Sequence, residues 1–216
     1  MSDDIGLGQF LRRYPRMALR PTREQPILLR GHFDFTADCS GLGVLSDSFE
    51  LQIEVPREFP GAVPRVIETG GRIQRTPDNH VNADGSLCLG SPLRLLRELK
   101  RSPTLFGFAA GCIVPYLYAV SGKIKHGGAL VIGELPHGRA GELSDYAVLF
   151  GLNDSEQALA ALRCLGMKKR RANKQPCPCG CGRRLGVCEL NRRLAPYRRL
   201  ASRRWYRQLH GDTASR

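Results

Sequence analysis

The sequence predicts an α+β fold with a small cysteine-rich module at its C-terminal end. Between residues 26 and 69, apolar and polar residues alternate over short segments, which is typical of β-strands. From residue 91 onward the apolar residues recur with helical spacing instead. Strands that are gathered between helices, rather than alternating with them, favour an α+β architecture.

The distribution of charge predicts two domains. The chain has 216 residues, which is long enough for one domain with its own core and a smaller appendage. Its net charge is +13. Residues 168–216 contain 15 of the 33 Lys and Arg residues but only two of the 20 acidic ones, so residues 1–167 are neutral overall. We therefore predict a neutral domain at 1–167 and a basic module at 168–216.

The first part of the chain predicts a helix followed by an antiparallel sheet. Residues 5–20 are typical of a short amphipathic helix with a basic face, interrupted before Pro15. The alternation then predicts strands at residues 27–35, 48–55 and 65–69. The Gly- and Ser-rich segment 39–47 connects the first two as a hairpin. The expected structure is a meander of at least three strands with one face exposed to solvent.

Helices dominate the remainder. Ser91 and Pro92 are a good N-cap and first residue for a helix through Lys100. Further helices are predicted at residues 104–120, 142–150 and 154–166, with a short strand at 129–132. Residues 102–122 are uncharged over a length that a membrane span would need. Their glycines, tyrosines and central Pro115 favour a buried core helix instead, so no membrane association is expected.

One cysteine lies in a setting that suits a nucleophile. Cys88 stands between two leucines, after an Asp84-Gly85 turn, and His80 and Asn82 precede it on a polar, loop-forming segment. A thiol that is held on a loop near such groups can act in covalent catalysis. The competing interpretation is a small, buried, structural cysteine.

The start of the chain has no basic-then-apolar signal segment, so we expect a cytoplasmic protein with reduced thiols.

The order of these parts resembles the ubiquitin-conjugating (E2) family, and in particular its divergent bacterial members. Three short motifs carry the resemblance: Phe59-Pro60-Gly61-Ala62-Val63-Pro64, His80-Val81-Asn82 and Gly85-Ser86-Leu87-Cys88-Leu89. They are similar to the Tyr-Pro-x-x-Pro-Pro turn, the His-Pro-Asn motif and the Gly-x-Ile-Cys-Leu motif of that family. The chain departs from the family in having Val81 in place of proline, a loop two residues shorter than in eukaryotic members, and no tryptophan near Ser102-Pro103.

The resemblance implies a UBC-like fold and a transferase reaction. Cys88 would carry a ubiquitin-like protein as a thioester, received from an E1-like activating enzyme, and an amine on a target protein would attack that thioester. Asn82 matches the family's oxyanion donor by motif. Because the loop is shorter, however, His80 stands where the family's asparagine would stand if one counted back from the cysteine, so both residues stay candidates. His137, within a His-Gly pair that is similar to one in the bacterial subgroup, and Asp84 are candidates for deprotonating the amine.

The last cluster of cysteines has the spacing of a metal site. Cys177, Cys179, Cys181 and Cys188 lie within twelve residues and are separated by glycines that let the backbone turn tightly. Four thiolates suit tetrahedral Zn²⁺, and so small a knuckle would depend on the metal to fold. The segment resembles the SEC-C zinc motif in Cys177, Cys179 and Cys188. Cys181 is our fourth ligand, with Glu189 as a possible substitute.

The basic segments that flank the cysteines leave a second function open. Lys168–Arg171 and Arg192–Arg207 are rich in arginine with aromatic residues between, a pattern that suits nucleic acid or an acidic protein face. A solvated basic helix explains the same pattern. The alternative to a conjugating enzyme is therefore a non-catalytic, UBC-shaped binding module with a basic zinc tail. Hydrolysis by a Cys-His pair is less favoured, because no third residue that would orient the pair can be assigned.

Overall fold

The computed structural model describes residues 5–21, 26–39, 43–128, 130 and 138–214. The chain forms two compact units, Met1–Glu134 and Leu135–Arg216, which we call the sheet unit and the helical unit. The sheet unit contains a four-stranded antiparallel sheet in the order β1-β2-β3-β4, together with helices. The α+β prediction is therefore confirmed.

The sheet unit follows the predicted order of elements with one addition. Its helices and strands are α1 (Leu7–Arg13), β1 (Met17–Arg20), β2 (Ile27–Ala37), β3 (Leu45–Val55), β4 (Arg65–Glu68), α2 (Pro92–Arg101), α3 (Leu105–Phe108) and α4 (Val114–His126). The predicted helix over residues 5–20 is wrong in its second half. Helix α1 ends before Pro15, which disfavours helical geometry at the preceding residue. Residues Met17–Arg20 instead form strand β1, which pairs antiparallel with β2 so that Met17 lies opposite Gly31 and Arg20 opposite Leu28.

The alternation in β3 sets the core of this unit. Phe49, Leu51, Ile53 and Val55 are each no more than 1% exposed, as the period of two predicts. Helix α4 packs on β2 and β3 and covers this apolar face.

Helices α3 and α4 join through a π-helical turn, Ala109–Ile113, into one run from Leu105 to His126. The turn lies just before Pro115, which has no N–H for the helical ladder, so the wider turn absorbs the defect. By length and composition alone this run could cross a membrane, but 67% of its most apolar window is buried inside the protein. That burial favours the predicted core helix. Ser91 caps α2 as predicted, its hydroxyl accepting the N–H of Arg94.

The helical unit consists of α5 (Gly138–Phe150), α6 (Ser155–Leu165), α7 (Lys169–Ala172), α8 (Leu190–Arg193), α9 (Ala195–Leu200) and α10 (Arg203–Ala214). Helix α6 packs against both α5 and α10. The compact units therefore divide at residues 134/135, earlier than the charge step near Met167, because α10 draws α5 and α6 into one unit with the basic module. The strand predicted at 129–132 falls largely outside the described residues.

Candidate functional site

Cys88 ends a small hairpin that lies on the outer edge of the sheet. The hairpin, His80–Cys88, closes through the Cys88 N–H, which donates to the His80 carbonyl at 2.7 Å, and the Asn82 N–H, which donates to the Ser86 carbonyl at 2.8 Å. Its three-residue loop ends at Gly85, whose φ of +79° glycine adopts at little cost. We call this element the cysteine hairpin.

The cysteine hairpin is attached to the neighbouring strand by its backbone. The Leu87 N–H donates to the Val66 carbonyl at 2.8 Å, and Ser86 bridges to Ile67. Leu87 is buried, whereas Cys88 is half-buried. The backbone contacts fix the main chain on both sides of the sulfur while part of Cys88 stays accessible to solvent, which is an arrangement that a nucleophilic thiol requires.

A polar network holds the loop of the hairpin in shape. Ser86 Oγ donates to Asp84 Oδ1 at 2.6 Å and accepts a hydrogen bond from Asn82 Nδ2 at 3.0 Å. Asp84 Oδ2 also lies 3.1 Å from Arg65 Nε, on strand β4. Each side chain of the loop that carries a carboxylate or an amide is therefore engaged by a neighbour.

This network bears on the roles predicted for Asn82 and Asp84. An oxyanion role for Asn82 would require its amide to leave Ser86. Hydrogen bonds from Ser86, and then the charge and hydrogen bond of Arg65, lower the pKa of Asp84, which makes this carboxylate a weaker base. His80 contacts Cys88 through the backbone, because its carbonyl accepts the hydrogen bond from the Cys88 N–H. His137 lies outside the described residues.

Tyr116 is a residue near the cysteine hairpin that the sequence reasoning did not select. Its hydroxyl donates to the Asn79 carbonyl at 2.6 Å, one residue before the hairpin, and Lys123 Nζ donates to Asn79 Oδ1 at 2.8 Å. Burial raises the pKa of Tyr116, and negative charge at Cys88 and Glu68 raises it further, so the hydroxyl stays protonated and can keep donating to Asn79. A tyrosine in an otherwise apolar helix was the available signal, because a buried hydroxyl needs a partner.

The four C-terminal cysteines converge on one point. The sulfur atoms of Cys177, Cys179, Cys181 and Cys188 all lie within 4.8 Å of one another. Cys179 and Cys181 are each 3.7 Å from Cys188, and Cys177 is 3.2 Å from Cys179. Zn–S bonds of about 2.3 Å at tetrahedral angles place sulfur atoms about 3.8 Å apart. The cluster could therefore hold a metal ion with little rearrangement, and we call it the cysteine cluster.

Glu189 does not belong to this set. Its carboxylate pairs with Arg192, three residues later, and its side chain is 58% exposed. Within the described residues the fourth donor is accordingly Cys181. A hydrogen bond from the Arg183 N–H, with help from neighbouring thiols, lowers the pKa of Cys181 to about 6, whereas burial raises the pKa of Cys177.

The sheet unit thus presents one half-buried thiol on a braced hairpin, and the helical unit presents four thiols arranged for one metal ion. The remaining cysteines are Cys39, which is exposed, and Cys112 and Cys164, which are buried. Burial raises the pKa of both buried thiols, so neither resembles a reactive thiolate. Comparison with known proteins adds nothing to the geometry, since no family model, no curated protein and no solved structure matches the chain.

Proposed function

We propose that the protein is an E2-like conjugating enzyme that carries a ubiquitin-like protein as a thioester on Cys88. The observation that carries the proposal is the half-buried Cys88 at the end of a hairpin pinned to the edge strand of the sheet. Support comes from the order of elements: helix, four-stranded antiparallel sheet, cysteine hairpin and capped helix α2 follow one another as the motif resemblance to that family implies.

The reaction needs two acyl transfers. In the first, the Cys88 thiolate attacks the thioester of a charged activating enzyme, forming a new C–S bond and releasing the activating enzyme's thiolate. In the second, a target amine attacks the Cys88 thioester, an amide bond forms, and the thiolate of Cys88 leaves. The amine's proton passes to a base, and the oxyanion of each tetrahedral intermediate requires a hydrogen-bond donor.

The residues of the hairpin divide these tasks in our proposal. The His80 carbonyl accepts the Cys88 N–H and so fixes the backbone of Cys88, and the His80 imidazole stays a candidate for the oxyanion or for proton transfer. Asn82 is the candidate oxyanion donor once its amide turns from Ser86 to the intermediate. Tyr116 braces the segment that leads into the hairpin. We further propose that the metal of the cysteine cluster is Zn²⁺ in a structural role, since four thiolates at tetrahedral spacing are its preferred set.

A charging assay tests the proposal. The protein is mixed with ATP, an E1-like activating enzyme and candidate ubiquitin-like proteins, and adducts are measured by intact mass with and without reductant. We expect an adduct that reductant removes, that Cys88→Ala abolishes, and that Cys88→Ser converts to a reductant-resistant ester.

Cys39→Ala is the matched control, because Cys39 is an exposed thiol of the same unit that is not part of the hairpin. It should charge like the unaltered protein. Charging that survives Cys88→Ala, or the absence of any adduct while Cys88 alkylates no faster than buried Cys112, would contradict the proposal and favour a binding module.

A further inference from the structure

A basic cavity lies in the helical unit, where α6, α7 and α10 come together. It has a volume of about 660 Å³, and its wall consists of Arg163, Gly166, Met167, Lys168, Arg171, Arg203, Arg207 and His210. Five of these side chains are cationic and none is acidic. The volume is typical of a site for a small ligand or for part of a larger one.

Among the side chains that the structure describes, no Asp or Glu forms an ion pair with any of the five Lys and Arg residues of this wall, although the same chain pairs arginines elsewhere, as at Arg192–Glu189. Arg207 instead donates to the backbone carbonyl of Gly166 at 3.2 Å. Like charges around one cavity repel each other, and an anion between them relieves that repulsion.

A smaller cavity of about 390 Å³ adjoins the first and continues its character. It shares Met167, Lys168 and Arg203 with the basic cavity and adds Arg198 to the wall. Nε and Nη2 of Arg198 are buried and have no hydrogen-bond partner among the described residues. Burial lowers the pKa of Arg198, the expected direction for a guanidinium that is partly removed from solvent.

We infer that the basic cavity binds phosphate groups. Guanidinium groups bind phosphate oxygens in bidentate fashion, and several cations around one cavity match a ligand that concentrates charge in a small volume. The described walls of the two cavities contain no Phe, Tyr or Trp and are dominated by Arg and Lys side chains, which favours recognition of the phosphates over recognition of bases. The ligand is a free polyphosphate or the backbone of a nucleic acid strand. This inference does not depend on the reaction proposed for Cys88.

The test compares two pairs of neighbouring arginines. Arg171 and Arg203 line the cavity, whereas Arg170 and Arg204 are adjacent exposed residues on the same two helices and do not. The variants Arg171→Gln/Arg203→Gln and Arg170→Gln/Arg204→Gln therefore remove equal charge from the full-length protein. Binding of inorganic tripolyphosphate is measured by calorimetry, and binding of a fluorescent oligothymidylate by anisotropy over a range of salt, after circular dichroism has confirmed folding.

We expect the cavity variant to bind at least about tenfold more weakly than the control variant. For the oligothymidylate, loss of two phosphate contacts should reduce the slope of log K against log salt by about 1.4. If the protein binds tripolyphosphate and the cavity variant does not, the ligand includes free phosphates. If the protein binds only the oligothymidylate, the ligand is the phosphate backbone of a nucleic acid. Equal losses in the two variants, no binding of either probe, or polyglutamate binding with the same dependence on Arg171 and Arg203 would overturn the inference.

Discussion

Ser86 is the residue on which the side-chain contacts of the cysteine hairpin converge. It is 8% exposed, and its hydroxyl both donates to Asp84 and accepts from Asn82. We expect Ser86→Ala to lower the free energy of unfolding by about 1–2 kcal/mol, because two hydrogen bonds are lost and the buried site gains no new partner. Chemical denaturation measures this change.

The same substitution should change the reactivity of Cys88. Without Ser86 Oγ the Asn82 amide has no fixed acceptor, so we expect Cys88 to alkylate at an altered rate while Cys39 does not. Ser46→Ala is the control, since the Ser46 hydroxyl also makes a side-chain hydrogen bond, of 2.8 Å with the Thr36 hydroxyl, but at an exposed position. If both variants lost equal stability and left Cys88 alkylation unchanged, the bracing role of Ser86 would be refuted.

At the scale of elements, Asp47 links strand β3 to helix α4. Its carboxylate lies 2.8 Å from Arg72 Nη1 and accepts a hydrogen bond from Ser121 Oγ at 2.7 Å. The guanidinium of Arg72 also stacks 4.4 Å above the ring of Phe49. Burial raises the pKa of Asp47, but hydrogen bonds from Arg72, Ser121 and the Ser48 N–H outweigh burial, so the net pKa is lowered.

A lowered pKa predicts the direction of a pH effect. Folding stability from Asp47 is present above the carboxyl's unfolded pKa, which is about 3.9, and is lost as pH falls through the lower folded value. Asp47→Asn should therefore destabilise the protein by about 1–2 kcal/mol at pH 7 and reduce the loss of stability below about pH 4. Thermal unfolding from pH 7 to pH 2.5 measures both. Asp34→Asn, at the exposed pair with Arg16, should change stability far less. An unchanged acid limb in Asp47→Asn would contradict the assignment.

The elements show which parts of the fold could be predicted from the sequence. Strand β3 and helix α2 were predictable because their signals, an alternation of two and a Ser-Pro cap, are local. Strand β1 was not, because only one of its four residues is buried and its partner β2 lies further along the chain. The same difference between local signals and contacts distant in sequence decides which residues of the candidate site could be predicted. Spacing predicted the convergence of four cysteines, but the Tyr116–Asn79 contact joins residues 37 positions apart.

At the scale of the whole molecule, the cysteine cluster predicts that folding of the helical unit depends on a metal. We expect the purified protein to contain about one zinc ion per chain, measured by mass spectrometry of the metal content. Cys188→Ser should lose the metal and lower the thermal stability of the protein, because ion binding supplies folding energy to a segment with little core of its own.

Glu189→Gln separates the two candidates for the fourth ligand. Because Glu189 pairs with Arg192 outside the cluster, this variant should keep the full metal content, whereas Cys181→Ser should weaken metal retention against a chelator. Metal that is lost in Glu189→Gln but kept in Cys181→Ser would reverse the assignment.

The hairpin that presents Cys88 has a second effect on the sheet. The outer edge of a terminal strand is a template on which another chain can add by backbone pairing, and this is a common start of aggregation. Here the Leu87 N–H occupies the Val66 carbonyl, and Ser86 bridges to Ile67, so the hairpin covers the edge of β4. Among the described strands, the terminal edge left for an incoming extended peptide is that of β1. The segment that exposes the thiol is thus also the segment that keeps this side of the sheet from recruiting foreign strands.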